Sequence, residues 1–160
     1  EAFTGKYVGD LKANGLKVLK NNTEVRKAVA NGEYAIGITN HYYYLLQLQE
    51  DPQSPIRIVY PDQGPADMGT PVFSITAALI KGAKHADAGR SFLEFLLKLE
   101  GNRHLVEGEF EIPLVPGLHL PGADKGIKGL AQIKSPPLTQ VQIAELEPKV
   151  ERLFGSVFTP

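Results

Sequence analysis

The sequence predicts an α/β protein, and three observations carry that reading. Short runs rich in β-branched and aromatic residues, at 34–39, 56–60 and 72–80, have the composition of strands. Between them lie runs in which apolar residues recur every three or four positions, the spacing of one helical face. Gly and Pro punctuate the joins: there are 16 Gly and 12 Pro in 160 residues, and many of them lie after Pro52.

In order along the chain, residues 1–15 read as a helix in which Tyr7, Val8 and Leu11 share a face, stopped by Asn14-Gly15. Residues 16–19 are a short strand. Asn21-Asn22-Thr23 opens a second helix whose Val25, Ala28 and Val29 make a buried face, closed by Gly32. Asn22 reads most simply as its N-cap, and a helix N-terminus is also a natural place for an anion. Residues 34–39 form a buried strand that ends at Asn40, a good N-cap for a helix over 41–50. Residues 51–55 make a turn and 56–60 a strand. Residues 61–71 hold two Gly and three Pro and are irregular, so Asp62 and Asp67 read as turn formers rather than metal carboxylates. Met68 is a soft thioether and does not suit a hard cation.

Residues 72–80 are a strand stopped by Lys81-Gly82. The clearest helix covers 85–99, with Phe92, Leu93, Phe95, Leu96 and Leu99 on a core face and Arg90, Glu94 and Lys98 opposite; 100–104 continue it or start a second. Residues 110–114 are extended, confined by Pro113 to an edge or a crossing. Residues 117–129 read as a surface loop. A last helix over 140–154 is broken near Pro148, with Leu138, Val141, Leu146, Val150 and Leu153 as its buried stripe.

The chemistry concentrates where the 34–39 strand meets the next helix. Tyr42, Tyr43 and Tyr44 stand in the first turn, at the carboxyl end of a strand, which is where open α/β sheets bind ligands. Three phenols there can simply pack the helix against the sheet. They can also act as oxygen ligands, because a hard trivalent cation stabilises phenolate despite its ordinary pKa of ~10. His41 adjoins them and could tune the site; His85, His104 and His119 are scattered, without the spacing of a zinc site.

The segments Val25-Arg26-Lys27-Ala28-Val29-Ala30-Asn31-Gly32-Glu33 and Gly37-Ile38-Thr39-Asn40-His41-Tyr42-Tyr43 resemble the iron-binding segment of periplasmic ferric-ion-binding proteins, the solute-binding components of iron(III) ABC transporters. Tyr60-Pro61-Asp62-Gln63-Gly64, Ala77-Ala78-Leu79-Ile80-Lys81-Gly82-Ala83, Arg90-Ser91-Phe92-Leu93-Glu94-Phe95-Leu96-Leu97 and Glu111-Ile112-Pro113-Leu114 follow in the same order as in that family. The resemblance implies a type II periplasmic-binding fold, two-lobed, with mixed sheets flanked by helices. It implies Fe(III) as cargo, held by Tyr42 and Tyr43 with Tyr44 a weaker candidate, and a synergistic anion (carbonate or phosphate) on Asn22 and Asn40.

The implied organisation places residues 1–70 in the C-terminal lobe with the tyrosine motif. Residues 71–120 would return to the N-terminal lobe through hinge crossings, and 121–160 would be tail helices. Family members are roughly twice as long, so the chain is expected to correspond to the C-terminal half. A missing N-terminal half, or a second copy, would then be a partner, beside the ABC transporter permease. The implied location is periplasmic or extracellular, with a lipid anchor compatible.

Composition is consistent with this and excludes other classes. A net charge of −1 without a Lys/Arg cluster gives no basis for nucleic-acid binding. No apolar run approaches the ~20 residues of a membrane span, and the absence of cysteine rules out thiolate ligation. No nucleophile elbow, His-Glu-x-x-His or P-loop supports an enzyme. The competing readings are a solute-binding protein of the same fold for an organic anion, polyamine or sugar, and a self-associating fragment that binds nothing.

Overall fold

The computed structural model describes residues 2–158. Among them are the helices α1 (Ala2–Ala13), α2 (Asn22–Ala30), α3 (His41–Glu50), α4 (Ala86–Leu96), α5 (Leu99–Glu109) and α6 (Gln140–Phe158), with 3-10 turns at Ala123–Lys125 and Leu130–Gln132. None of these helices is long and apolar enough to cross a membrane. The chain divides into two compact units, residues 1–24 with 137–160, and residues 25–136.

In the first unit α1 packs on α6. Leu153 Cδ1 lies 3.9 Å from the position a Cβ would take on Gly5, the Lys12 ammonium donates to the Val157 carbonyl, and Val8 is buried. The helix stop expected at Asn14-Gly15 is a two-bond cap: Gly15 N–H donates to Lys12 O at 3.0 Å and Leu16 N–H to Leu11 O at 3.0 Å, with Gly15 at φ +83°. Two expectations fail here. The last helix runs through Pro148 without a break, since a proline removes one intrahelical bond and flanking turns on both sides can carry the rest. Its apolar stripe is not buried either: Val141, Leu146 and Val150 are exposed, and so is Leu138 just before it.

In the second unit α2 ends as α1 does, with Gly32 at φ +77°, Gly32 N–H on Val29 O at 3.0 Å and Glu33 N–H on Ala28 O at 2.9 Å. The core is small and centred on α3: Tyr44, Leu45 and Leu48 with Ile127, against which Ile56, Ile58, Phe110 and Leu120 pack. Arg26 fastens α2 to α3. Its buried guanidinium donates from Nη1 to Gln47 Oε1 at 2.6 Å and Glu50 Oε2 at 3.0 Å, and from Nη2 to Glu50 Oε1. Those bonds hold the Glu50 carboxyl below its usual range.

The helix expected over 85–99 stops at Leu97, and α5 starts afresh. Gly101 allows the close turn, because a Cβ there would stand 2.1 Å from the Phe95 carbonyl oxygen. The expected core face of α4 is not buried: no α4 residue is, and Phe92 is 59% exposed.

Among the described residues there is no β-strand, so the α/β expectation is met only in its helices. Residues 34–39, 55–59 and 71–79 run between the helices with no backbone–backbone hydrogen bond of their own. The physical reason is that a strand exists through a ladder with a second segment, and composition alone supplies none. The 56–60 run still alternates as a half-covered strand would, with Ile56, Ile58 and Tyr60 half-buried and Arg57 and Val59 exposed.

Candidate metal centre

The approach to α3 explains where its tyrosines stand. Segment 34–39 crosses α2 at Gly37, where a Cβ would meet Val25 Cγ1 at 2.7 Å and Val29 Cγ2 at 2.9 Å. Valine side chains are stiff at χ1 and cannot swing aside cheaply. Gly37→Ala is therefore expected to destabilise the protein by about 1–3 kcal/mol, with the helices intact by circular dichroism and the denaturation midpoint lowered. An unchanged midpoint would mean the segment is not docked on α2.

Asn40 takes the N-cap position with extended backbone (φ −72°, ψ 152°), but its side chain makes no capping bond. Only Tyr43 N–H reaches back, to Asn40 O at 3.2 Å. The first turn of α3 thus keeps donors without a helical partner, and the Asn40 amide is not occupied with them.

Tyr42 and Tyr43 share this turn, with ring centroids 4.4 Å apart at an interplanar angle of 33°. Neighbours on a helix point ~100° apart, so such a pair meets only because both side chains lean to one side of the opening turn. Both are half-buried. The Tyr42 phenol is pushed above its ordinary value of 10.0, first by hydrogen bonding with the Tyr43 side chain and then by burial, while a hydrogen bond with Asn40 works in the opposite direction. Without a cation the Tyr42 phenol stays neutral at pH ~7.

Tyr44 is turned elsewhere. It is buried at 9% exposure in the α3 core, and its hydroxyl donates to Lys125 O at 3.0 Å. His41 is also engaged, Nε2–H donating to Phe110 O at 2.9 Å, with its ring edge-on to Tyr42 at 5.9 Å. That bond brings in Glu111, a residue sequence reasoning missed. Its carboxyl is pushed up by burial and by Glu109, drawn down by His41, and its charge in turn raises Tyr42. No local pattern could have announced it, since 69 positions separate His41 from Phe110.

Asn22 lies in the other unit and is the first residue of α2, not its cap. The capping bond is made by Asn21, whose Oδ1 accepts from Glu24 N–H at 2.9 Å. Either asparagine satisfies the sequence rule; only backbone geometry chooses between them. Among the described residues no group of three or more His, Asp or Glu could hold a metal ion. Asp67 accepts from Gly64 N–H at 2.8 Å, as a turn former does.

Known proteins similar to this chain point one way. Iron uptake protein A2 of Synechocystis sp. is 31% identical over 143 residues, covering 86% of this chain and 40% of the relative. The major ferric iron-binding protein of Neisseria meningitidis serogroup B is 27% identical over 147 residues, covering 92% and 43%. Among solved structures, apo FutA2 from Synechocystis PCC6803 superposes with a TM-score of 0.76 at 28% identity, over 98% of this chain and 51% of that one. The chain therefore spans less than half the length of these curated relatives and carries a periplasmic-binding-protein-like fold. The profile of the bacterial extracellular solute-binding proteins matches residues 2–103, and the chain belongs to that family.

Proposed function

We propose that this chain binds ferric iron through the phenolates of Tyr42 and Tyr43 and presents it, with a synergistic anion, to an ABC importer. The observation that carries the reading is the tyrosine pair, 4.4 Å between rings and half-buried on the opening turn of α3. Fe(III) is a hard cation and prefers anionic oxygen; tyrosinate is an established iron ligand in haem proteins. The names of the relatives, an iron uptake protein and ferric iron-binding proteins, support the same cargo.

Tyr44 stays outside the ligand set, because its hydroxyl already serves Lys125 O. Asn40, whose amide caps nothing, is the anion-binding side chain in the second unit; Asn22 is proposed for the same role on the family resemblance alone. Carbonate or phosphate would meet the unbonded N–H groups opening α3. The remaining coordination positions fall to the rest of a solute-binding fold or to a second copy. The lobe assignments of residues 1–70, 71–120 and 121–160 belong to this proposal too. So do the permease partner and a periplasmic or extracellular location, with which a lipid anchor is compatible. The process is capture by coordination, with no bond made or broken in a substrate, so no enzyme activity is proposed.

The test is an Fe(III) titration with bicarbonate or phosphate present, followed in the visible region. A tyrosinate-to-iron charge-transfer band at one equivalent is the expected result. Phenolate ligation releases phenolic protons, so affinity climbs with pH by about tenfold per unit for each proton displaced. The Tyr42 phenol, raised above its ordinary value of 10.0, carries that climb upward through the neutral range. A titration with no visible band, or an affinity indifferent to pH, refutes phenolate ligation.

A further inference from the structure

Two side chains of α3 reach out of the helix to distant carbonyls, and they bracket the tyrosine pair. Tyr44 donates to Lys125 O at 3.0 Å, and His41 donates from Nε2 to Phe110 O at 2.9 Å. The two bonds do different work. Tyr44 is a buried ring in the core, so the middle of α3 stays seated through that packing as well as through the hydroxyl. The opening turn has no such seat: Asn40 supplies no capping bond, and Tyr42 and Tyr43 are only half-buried. Among the described residues, the bond from His41 is what ties that turn to another element.

The acceptor stands on an uncommon backbone. Phe110 closes α5 at φ 59° and ψ 30°, in the left-handed region that a bulky residue rarely enters. Glycine would end the helix there without strain. It would bring no ring, however, and the Phe110 ring packs against the cluster of Tyr44, Leu45, Leu48 and Ile127. Two contacts with α3 thus hold phenylalanine in this conformation, its ring in the core and its carbonyl on His41. Backbone of this kind persists where its surroundings over-determine it. One residue on, the Glu111 carboxylate is near enough to raise Tyr42 and to be drawn down by His41, which sets the same turn beside the phenols. All these groups lie in one compact unit, residues 25–136, so no contact in the set calls on the other unit.

Successive side chains on a helix point ~100° apart, yet the rings of Tyr42 and Tyr43 stand 4.4 Å from centre to centre. An uncapped helix end frays, and fraying would let the two rings part. The imidazole, bonded at its far nitrogen and edge-on to Tyr42 at 5.9 Å, restrains both the turn and the swing of that ring. We infer that His41 is a positioning residue: through its bond to the Phe110 carbonyl it fixes the opening turn of α3 and keeps the Tyr42 ring against Tyr43, so that both phenols serve one cation. The consequence for a cation rests on the ferric reading; the arrangement of the rings can be tested without metal.

The experiment compares the unsubstituted chain with His41→Ala and His41→Gln, first metal-free and then in an Fe(III) titration with bicarbonate. Glutamine carries an amide N–H donor to about where the imidazole N–H stands, whereas alanine leaves Phe110 O without one. In the metal-free protein, nuclear Overhauser contacts between the Tyr42 and Tyr43 rings should be clear in the unsubstituted and His41→Gln chains and lost in His41→Ala, with helical circular dichroism alike in all three. With iron, His41→Ala should keep a charge-transfer band, because both phenolates remain, but at a shifted wavelength and with affinity about 10–100-fold lower. His41→Gln should lose less than about tenfold. A purely structural role would lower the melting temperature of the variants and leave ring contacts and band position alone. Ring contacts absent from the unsubstituted chain, or surviving in His41→Ala, overturn the inference, and so does a glutamine variant no better than alanine. An unsubstituted chain without a band refutes the ferric reading instead, and the ring contacts then decide the role of His41 by themselves.

Discussion

Tyr42→Phe and Tyr43→Phe are each expected to abolish the ferric absorption band proposed for this chain and to lower Fe(III) affinity beyond the roughly 10–100-fold that loss of an outer-shell partner costs. The substitution isolates the ligand role. Phenylalanine keeps the ring, so the 4.4 Å contact between the two side chains and the apolar part of the turn survive. What disappears is the one oxygen that can carry negative charge to the metal. Helical content should therefore match the unsubstituted chain, and the stability loss should not exceed the roughly 0.5–1.5 kcal/mol of one hydrogen bond. Tyr44→Phe is the internal control. Its hydroxyl donates to Lys125 O, so the expected result is an intact band and a stability loss of about 0.5–1.5 kcal/mol. If Tyr44→Phe removes the band while Tyr42→Phe keeps it, the assignment of ligands within the run is wrong. A titration of the three variants side by side, with melting curves, decides it.

The second large effect concerns what holds α3 in place. Leu45 is 5% exposed and sits at the centre of the cluster formed with Tyr44, Leu48 and Ile127. From the far side it is met by the 120s loop, where Gly122 at φ +71° comes so close that a Cβ would stand 2.5 Å from Leu45 Cδ2. A backbone this near cannot follow a truncated side chain inward without leaving a conformation that suits glycine. The cavity in Leu45→Ala should then stay largely open, at a cost of about 2–5 kcal/mol. For a chain of this size 1 kcal/mol shifts the melting temperature by roughly 2–4 °C, so a fall of about 4–20 °C is expected. Leu46→Ala, at a half-buried position next door, should cost clearly less. Near-equal losses from the two would mean that the Tyr44–Ile127 cluster is not what anchors the helix.

Most of the helices were legible because their causes are local. Asn14-Gly15 and Asn31-Gly32 stop α1 and α2 with bonds made within six residues, and the 3.6-residue repeat marks α2. The tyrosine run was legible as chemistry for the same reason: identity and position in a helix's first turn need no distant information. The division of labour among the three phenols was not. Tyr44 was separated from Tyr42 and Tyr43 by an acceptor 81 positions away, and Glu111 entered the site through a bond spanning 69.

The strands mark the boundary most sharply. Residues 34–39, 56–60 and 72–80 have every side chain a strand wants, yet none forms one among the described residues, because β structure is an agreement between two segments. By itself, then, the sequence determined the helices, the caps and the clustering of phenols, all of which follow from interactions a few residues long. Tertiary structure alone decided which phenol is tied to a distant carbonyl, which asparagine caps α2, and which residues pack against α3. Those outcomes depend on partners far along the chain, and no short window of sequence contains them.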